Sequence, residues 1–412
     1  MRVSISIVIG VFIGSSLFAQ GSARRPMTVD DALNMIRIAD VIMAPDGEWV
    51  FFSESELDWD ENERKKKYYM IPAGGGDATQ FIGDAGGESF QFSPDGKYLS
   101  FLRSIDDDDQ VFWMRTDGGE ATRLTDHENG VESYKWSPDG RGIFFTADEA
   151  LSEEKEKEHD KGEDAYFVRE GPHGREEGSW RNLWALDLSS MEEIRLTDEE
   201  LVISEFDISP DGERAVFAAE RQELDDYFYL SELYLVDTGK PEIVRLTNNN
   251  APESSVIWSP DGETIAYHAP SDGEYELTNG FIWVLNPETK EKKKLQGQNQ
   301  GEISNLTWAP DSKSLLFNET RRTNSNLHRL DVATDRVTDV TTVTGTLRAL
   351  SFSKDGTRMV YSFNDFNTPT DLYFSSMEEF DPVRLTHANP WIEEELLLAK
   401  AEIVRWKSRD GM

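Results

Sequence analysis

The sequence contains no cysteine. That excludes disulfides, zinc–thiolate centres and a cysteine nucleophile. It does not argue against export, because a chain of 412 residues can bury a core without covalent staples. Basic residues are scarce. There are 42 Lys and Arg against 79 Asp and Glu, for a net charge of −37. A surface so acidic repels a phosphate backbone, which removes nucleic acid from the expected partners. After the first twenty residues no apolar run is long enough to cross a bilayer. Catalytic signatures are missing as well. No Gly-x-Ser-x-Gly elbow occurs, and no His-x-x-x-His or His-Glu-x-x-His spacing. The six histidines, His127, His159, His173, His268, His328 and His387, stand apart and read as surface or loop residues. Asp106 to Asp109 lack the spacing of a calcium loop and read as a solvated hairpin tip. Gly74-Gly75-Gly76 precedes no helix, so it is not a phosphate loop. No metal or cofactor is expected.

What the sequence does hold is one phrase, repeated. Phe92-Ser93-Pro94-Asp95-Gly96 returns around Asp139, Asp211 and Asp261. Degenerate copies surround Asp46, Asp311 and Asp355. Successive aspartates lie 49, 44, 72, 50, 50 and 44 residues apart, by subtraction of those positions. A period in that range marks a repeat architecture, and four short strands with their turns fill it. Proline presets φ, aspartate bonds its own backbone and glycine takes φ > 0, so each phrase is a tight turn. An apolar residue precedes each turn and an apolar strand follows, as in Tyr98-Leu99-Ser100-Phe101. A fourth strand recurs as Arg195-Leu196-Thr197, Arg245-Leu246-Thr247 and Arg384-Leu385-Thr386. The expected fold is all-β: a seven-bladed β-propeller of four-stranded antiparallel blades. Every repeat runs in the same strand order, so the ring is expected to close by side-chain packing, without strand sharing.

In chain order, residues 1–20 read as a signal peptide, with Arg2 ahead of an apolar core and Ala19 at the cut. A periplasmic or secreted protein follows from that reading. Residues 27–38 read as a short helix with Thr28 as N-cap. The propeller is expected over 39–388. The 72-residue interval carries an insertion, 151–180, whose charged first half suits a solvated helix or loop. Residues 389–412 read as a linker, with a helical stretch 392–400 and an alternating strand, Ala401-Glu402-Ile403-Val404-Arg405-Trp406, that has no partner after it.

These repeats resemble the TolB-type propeller. The opening Met27-Thr28-Val29-Asp30-Asp31-Ala32-Leu33 and the closing Glu402-Ile403-Val404-Arg405-Trp406-Lys407-Ser408-Arg409-Asp410-Gly411 are similar to the two ends of the propeller in prolyl oligopeptidase-type serine peptidases. The resemblance implies an exported propeller that gates and orients peptide substrates for an α/β-hydrolase domain. That domain carries the family's Ser, Asp and His and is not in this sequence, so no catalytic residue is carried over and the 412-residue chain is expected to be inactive alone. The implied partner is a peptide substrate, met through the hydrolase domain; no membrane contact beyond export is implied. Some members hold a substrate's free amine with propeller acids. Glu170, with Tyr166 and Arg169, is the insertion-borne candidate for substrate binding. The alternative is a free-standing TolB-like periplasmic binding propeller.

Overall fold

A computed structural model of the chain describes residues 24–83, 86–150, 157, 161, 180–221, 230–240, 242–249, 251–270, 280–295 and 301–409. The first group of strands is β1 (Arg37–Met43), β2 (Trp49–Asp58), β3 (Glu63–Pro72) and β4 (Thr79–Ile82). The second is β5 (Glu88–Phe92), β6 (Tyr98–Ile105), β7 (Asp108–Arg115) and β8 (Thr122–Arg123). Next come β9 (Ser133–Trp136), β10 (Gly142–Asp148), β11 (Arg181–Asp187) and β12 (Glu192–Arg195), then β13 (Val202–Ile208), β14 (Arg214–Glu220), β15 (Glu232–Asp237) and β16 (Ile243–Arg245). A fifth group holds β17 (Ser254–Trp258), β18 (Ile265–Ala269), β19 (Phe281–Leu285) and β20 (Lys292–Leu295). The last two are β21 (Glu302–Trp308), β22 (Ser314–Arg321), β23 (Asn324–Asp331) and β24 (Arg336–Asp339), and β25 (Thr346–Phe352), β26 (Arg358–Asn364), β27 (Asp371–Ser376) and β28 (Val383–Arg384). Within each group neighbouring strands pair antiparallel in sequence order. Single parallel pairs, Arg181 with Val202 and Ser325 with Thr346, join two pairs of groups into eight-stranded sheets. None of the described sheets closes on itself.

The turn phrase explains each first hairpin. The Gly96 amide donates to the Ser93 carbonyl at 2.8 Å, and Ser93 Oγ donates to Asp95 Oδ1 at 2.8 Å. Asp95 Oδ1 also accepts from the Lys97 amide at 3.1 Å, which fixes the strand that follows. Gly96 sits at φ 72°, a region open to glycine and costly for residues with a Cβ. The same bonds recur around Asp139, Asp211, Asp261 and Asp355. Ser312 replaces glycine in the copy around Asp311 and still adopts φ 54°.

Consecutive first strands are bonded to one another. Gln91 Nε2 donates to the Tyr134 carbonyl at 2.6 Å. Lys135 Nζ meets Asp207 Oδ1 at 2.7 Å, and Asp207 Oδ2 accepts from the Trp258 amide at 2.7 Å. The turns are also in register. The proline of one sits against the glycine of the next, so that a Cβ on Gly96 would lie 3.6 Å from Pro45 Cδ. The series returns to its start: β1 lies against β25 and β26, and one core cluster unites Val41, Met43, Val50 and Phe52 with Val360, Leu372 and Leu385. Polar bonds reinforce that seam. The Met43 amide donates to Ser351 Oγ at 3.0 Å, the Lys354 amide to the Pro45 carbonyl at 2.9 Å, and Arg358 Nη1 to the Gly47 carbonyl at 3.0 Å.

The Arg-Leu-Thr phrase has a precise local role. Thr197 Oγ1 accepts from the Leu183 amide at 2.9 Å and donates to Asn182 Oδ1 at 2.6 Å. Arg195 Nε reaches past it to the Thr197 carbonyl at 2.8 Å. The buried threonine thus replaces the ladder bond that the short outer strand fails to supply. Thr125, Thr341 and Thr386 do the same with Gln110, Asn326 and Asp371.

Several expectations need correction. The helix expected over 27–38 is α1 (Val29–Asn34), and β1 begins at Arg37. Thr28 and Asp31 close a capping box at its start. Its end is taken over by Arg64, whose Nη2 donates to the Leu33 carbonyl at 2.6 Å. The helical stretch expected over 392–400 is α2 (Pro390–Glu395). Residues 401–406 form no strand; they are exposed, and an alternating pattern without a partner leaves the ladder bonds unmade. The signal peptide and nearly all of the 151–180 insertion lie outside the described residues.

Candidate functional site

The first strands surround a shared space, and its lining is legible by register. Six residues before each turn aspartate stand Asp40, Ser89, Ser133, Glu205, Ser255, Asn305 and Ala349. Five of them have left-handed backbone: Asp40 at φ 52°, Ser89 at 53°, Ser255 at 55°, Asn305 at 52° and Ala349 at 47°. At each of those five positions the pairing register of the strand shifts at a bulge. Backbone held there costs on the order of 1–3 kcal/mol per residue, which packing around it must offset. Ser133, Glu205, Ser255 and Asn305 line one cavity of about 320 Å³.

Polar and apolar side chains share this lining, with ion pairs of Lys135 to Asp207 and of Asp40 to Lys66. Burial raises the Glu205 carboxyl above its ordinary range, opposed by the Ser255 and Val256 amides. Toward the turns the walls become apolar. A second cavity, about 780 Å³, is ringed by Pro138, Pro210, Pro260 and Pro310, with Trp308, Leu350 and Phe352. Lys354 stands where the other copies have proline. Its Nζ donates across the mouth to the Pro94 carbonyl at 3.3 Å.

The turn aspartates themselves are structural. Lys97 and then Ser93 hold Asp95 down to about 2, and Ser353 with the Thr357 amide holds Asp355 down to about 2. The substrate-binding candidates Tyr166, Arg169 and Glu170 lie outside the described residues. Two histidines, His328 and His268, depart from the expected surface or loop placement, while His127 lies in the loop after β8 with its ring packed inward. His328 is on β23, 4% exposed, with Nδ1 3.0 Å from Asp339 Oδ1. His268 is on β18, where burial lowers its pKa. His127 Nδ1 meets Glu193 Oε2 at 2.8 Å, with its ring edge-on to Phe145 and Trp184. Each fills a gap in a sheet or between sheets, which isolated spacing in the sequence does not reveal. Among the described residues no three metal-binding side chains converge.

The face opposite the turns is where both ends of the described chain meet. The Arg25 amide donates to the Glu395 carbonyl at 3.0 Å, and the Leu397 amide to the Arg25 carbonyl at 2.7 Å. Asn389 clasps Ile36 through both backbone groups, at 2.9 Å each. Large apolar side chains are left in water around this tie: Val29 is 74% exposed, Trp59 55%, Phe366 56% and Leu397 64%. Beside them Met27, Ile36 and Ile392 line a cavity of about 430 Å³. Apolar exposure gathered on one face marks an interaction surface.

No family model matches the sequence. A curated relative, the uncharacterized peptidase YuxL of Bacillus subtilis (strain 168), is 26% identical over 214 residues, which cover 49% of this chain and 32% of YuxL. The acylaminoacyl peptidase of Pyrococcus horikoshii superposes with a TM-score of 0.70 at 17% identity, covering 92% of this chain and 57% of that one. The β-propeller domain of the trilobed protease from Pyrococcus furiosus, described as having an open velcro topology, gives 0.60 at 13% identity and covers 86% of this chain and 99% of the domain. The chain thus spans about a third of the curated relative and little more than half of the acylaminoacyl peptidase. Its fold is an antiparallel β-propeller without a closed sheet. In fold it resembles the propeller portion of prolyl oligopeptidase-type peptidases.

Proposed function

We propose that this chain is the propeller part of an exported serine peptidase, with seven four-stranded blades that gate and orient peptides for an α/β-hydrolase domain. The observation that carries this reading is the apolar face around α1 and α2. Both ends of the propeller are tied together there, and Val29, Trp59, Phe366 and Leu397 stand exposed as a surface to be covered. The strand groups, each of four, support the blade count. Bond cleavage belongs to the hydrolase domain, and the propeller supplies the channel and the fit. The periplasm or the exterior is its place, on the strength of residues 1–20. The coding sequence after Met412 tests this. It should continue into a domain with a Gly-x-Ser-x-Gly elbow. A stop without one would refute the reading and favour a free-standing binding propeller. In a companion assay, the 412-residue chain alone should turn over neither peptide nor ester substrates.

A further inference from the structure

One threonine site departs from the pattern set by the others. Thr125, Thr197, Thr341 and Thr386 each donate to a side chain near the start of the strand they cap. In the fourth group the residue in that place is Glu232, and it faces elsewhere. Its Oε1 pairs with Arg245 Nη2 at 2.8 Å and accepts from the Asn249 amide at 2.7 Å. Thr247 donates instead to Glu253 Oε2, from the segment leading into β17. Glu253 Oε2 also accepts from the Leu233 amide at 3.0 Å, and Ser231 Oγ donates to the Glu253 carbonyl at 3.3 Å. The Glu253 carboxyl thus adds a bond between the fourth and fifth groups beside those that Glu205 and Asp207 make to β17.

Among the described residues its surroundings are short of positive charge. Glu253 is 2% exposed and Glu232 4%. Arg245 is committed to Glu232, and Lys292, the other cation facing the site, places Nζ 3.3 Å from Asn249 Oδ1. Glu232 Oε2 and Glu253 Oε1 are both buried without a hydrogen-bond partner. Two buried acceptors lack a donor, and the one guanidinium at the site is taken by Glu232. A proton on Glu253 removes one of the two buried charges.

We propose that the junction of the fourth and fifth groups is a proton-operated joint: Glu253 carries a proton in the fastened state, and its ionisation loosens the hold of the segment leading into β17 on the start of β15. Burial, aided by the nearby Glu232, supports this by raising Glu253 to about 7. A carboxyl whose folded pKa is raised stabilises most below its unfolded value and loses that contribution as pH climbs through the folded value. Stability is therefore lost from about pH 4.5 upward, whereas ionisation in the folded state, and the loosening that follows it, is centred near pH 7.

The test uses the full chain. Carboxyl-carbon NMR of glutamate-labelled protein, assigned with E253Q, should show a titration near pH 7, and E232Q should move it down. E253Q should match the wild type in Tm at pH 5 and exceed it by a few degrees at pH 8.5, because its amide cannot ionise. Glu253 titrating near pH 4.5, or a Tm difference between E253Q and wild type that does not change with pH, would overturn the proposal. Should E253Q fail to fold, the response to E232Q decides alone: an unmoved glutamate titration would refute it.

Discussion

Replacing Lys354 with the proline found at the equivalent place in the other six turns should weaken the protein. Judged by the repeat alone, K354P restores the common pattern and should stabilise, since proline at a compatible turn position adds about 0.4–1 kcal/mol through the unfolded state. The structure argues the opposite. The Lys354 amide donates to the Pro45 carbonyl at 2.9 Å, across the seam between first and last groups. Proline has no amide hydrogen, and losing that bond costs about 0.5–1.5 kcal/mol, with a further 1–3 kcal/mol if the Pro45 carbonyl is left dry. The Nζ bond to Pro94 disappears too. The losses exceed the gain, and a net cost of about 1–2 kcal/mol is expected. K354M keeps the amide and should stay within about 0.5 kcal/mol of wild type. Urea unfolding of the three proteins measures the order. Hydrogen exchange should locate the change at residues 43–48 and 351–356. A K354P variant as stable as wild type, or more so, would refute the reasoning.

Three further outcomes are expected. Gly356→Ala places a Cβ 2.7 Å from the Pro310 ring at φ 67°, so it should cost about 2 kcal/mol in thermal or urea unfolding, whereas Gly118→Ala, with open space around it, should cost less. Thr197→Val strands the Leu183 amide in a buried site and leaves Asn182 Oδ1 with only the 3.5 Å bond from the Glu199 amide, for a loss of about 1–3 kcal/mol that Thr197→Ser largely restores. Asp95 and Asp355 are both held near 2, so their contribution is present above the unfolded carboxylate range and disappears as pH falls from about 4 toward 2; an acid titration followed by circular dichroism should show D95N and D355N unfolding with a flatter dependence in that window.

The turns were legible because they are local. Proline, aspartate and glycine act within five residues, and seven copies at near-constant spacing give the strand order that follows. The helix at Val29 was legible from Thr28 and Asp31, but its end was not, because Arg64 supplies it from β3. Thr197 could be read as the end of a strand. Its role as a cap depends on Asn182, fifteen residues upstream, and the equivalent residue is Gln, Asn or Asp in other groups. Residues 401–406 alternate as a strand should, yet periodicity states only what a partner would find. The polar lining at Ser133, Glu205, Ser255 and Asn305 was present in the sequence, six places before each turn aspartate. Its significance emerges only when the first strands are drawn around one space. Lys354 was visible as a departure from the phrase, while the need for its amide is a property of the seam.

Ring closure without a shared sheet is best tested by joining Glu48 to Arg358, residues 310 apart in sequence whose side chains meet at 2.5 Å. The absence of cysteine makes an E48C/R358C variant free of background thiols. With a short flexible bis-maleimide, the folded protein should cross-link within the chain in high yield, and the denatured protein should not. Equal, low yields from folded and denatured protein would contradict the closed ring.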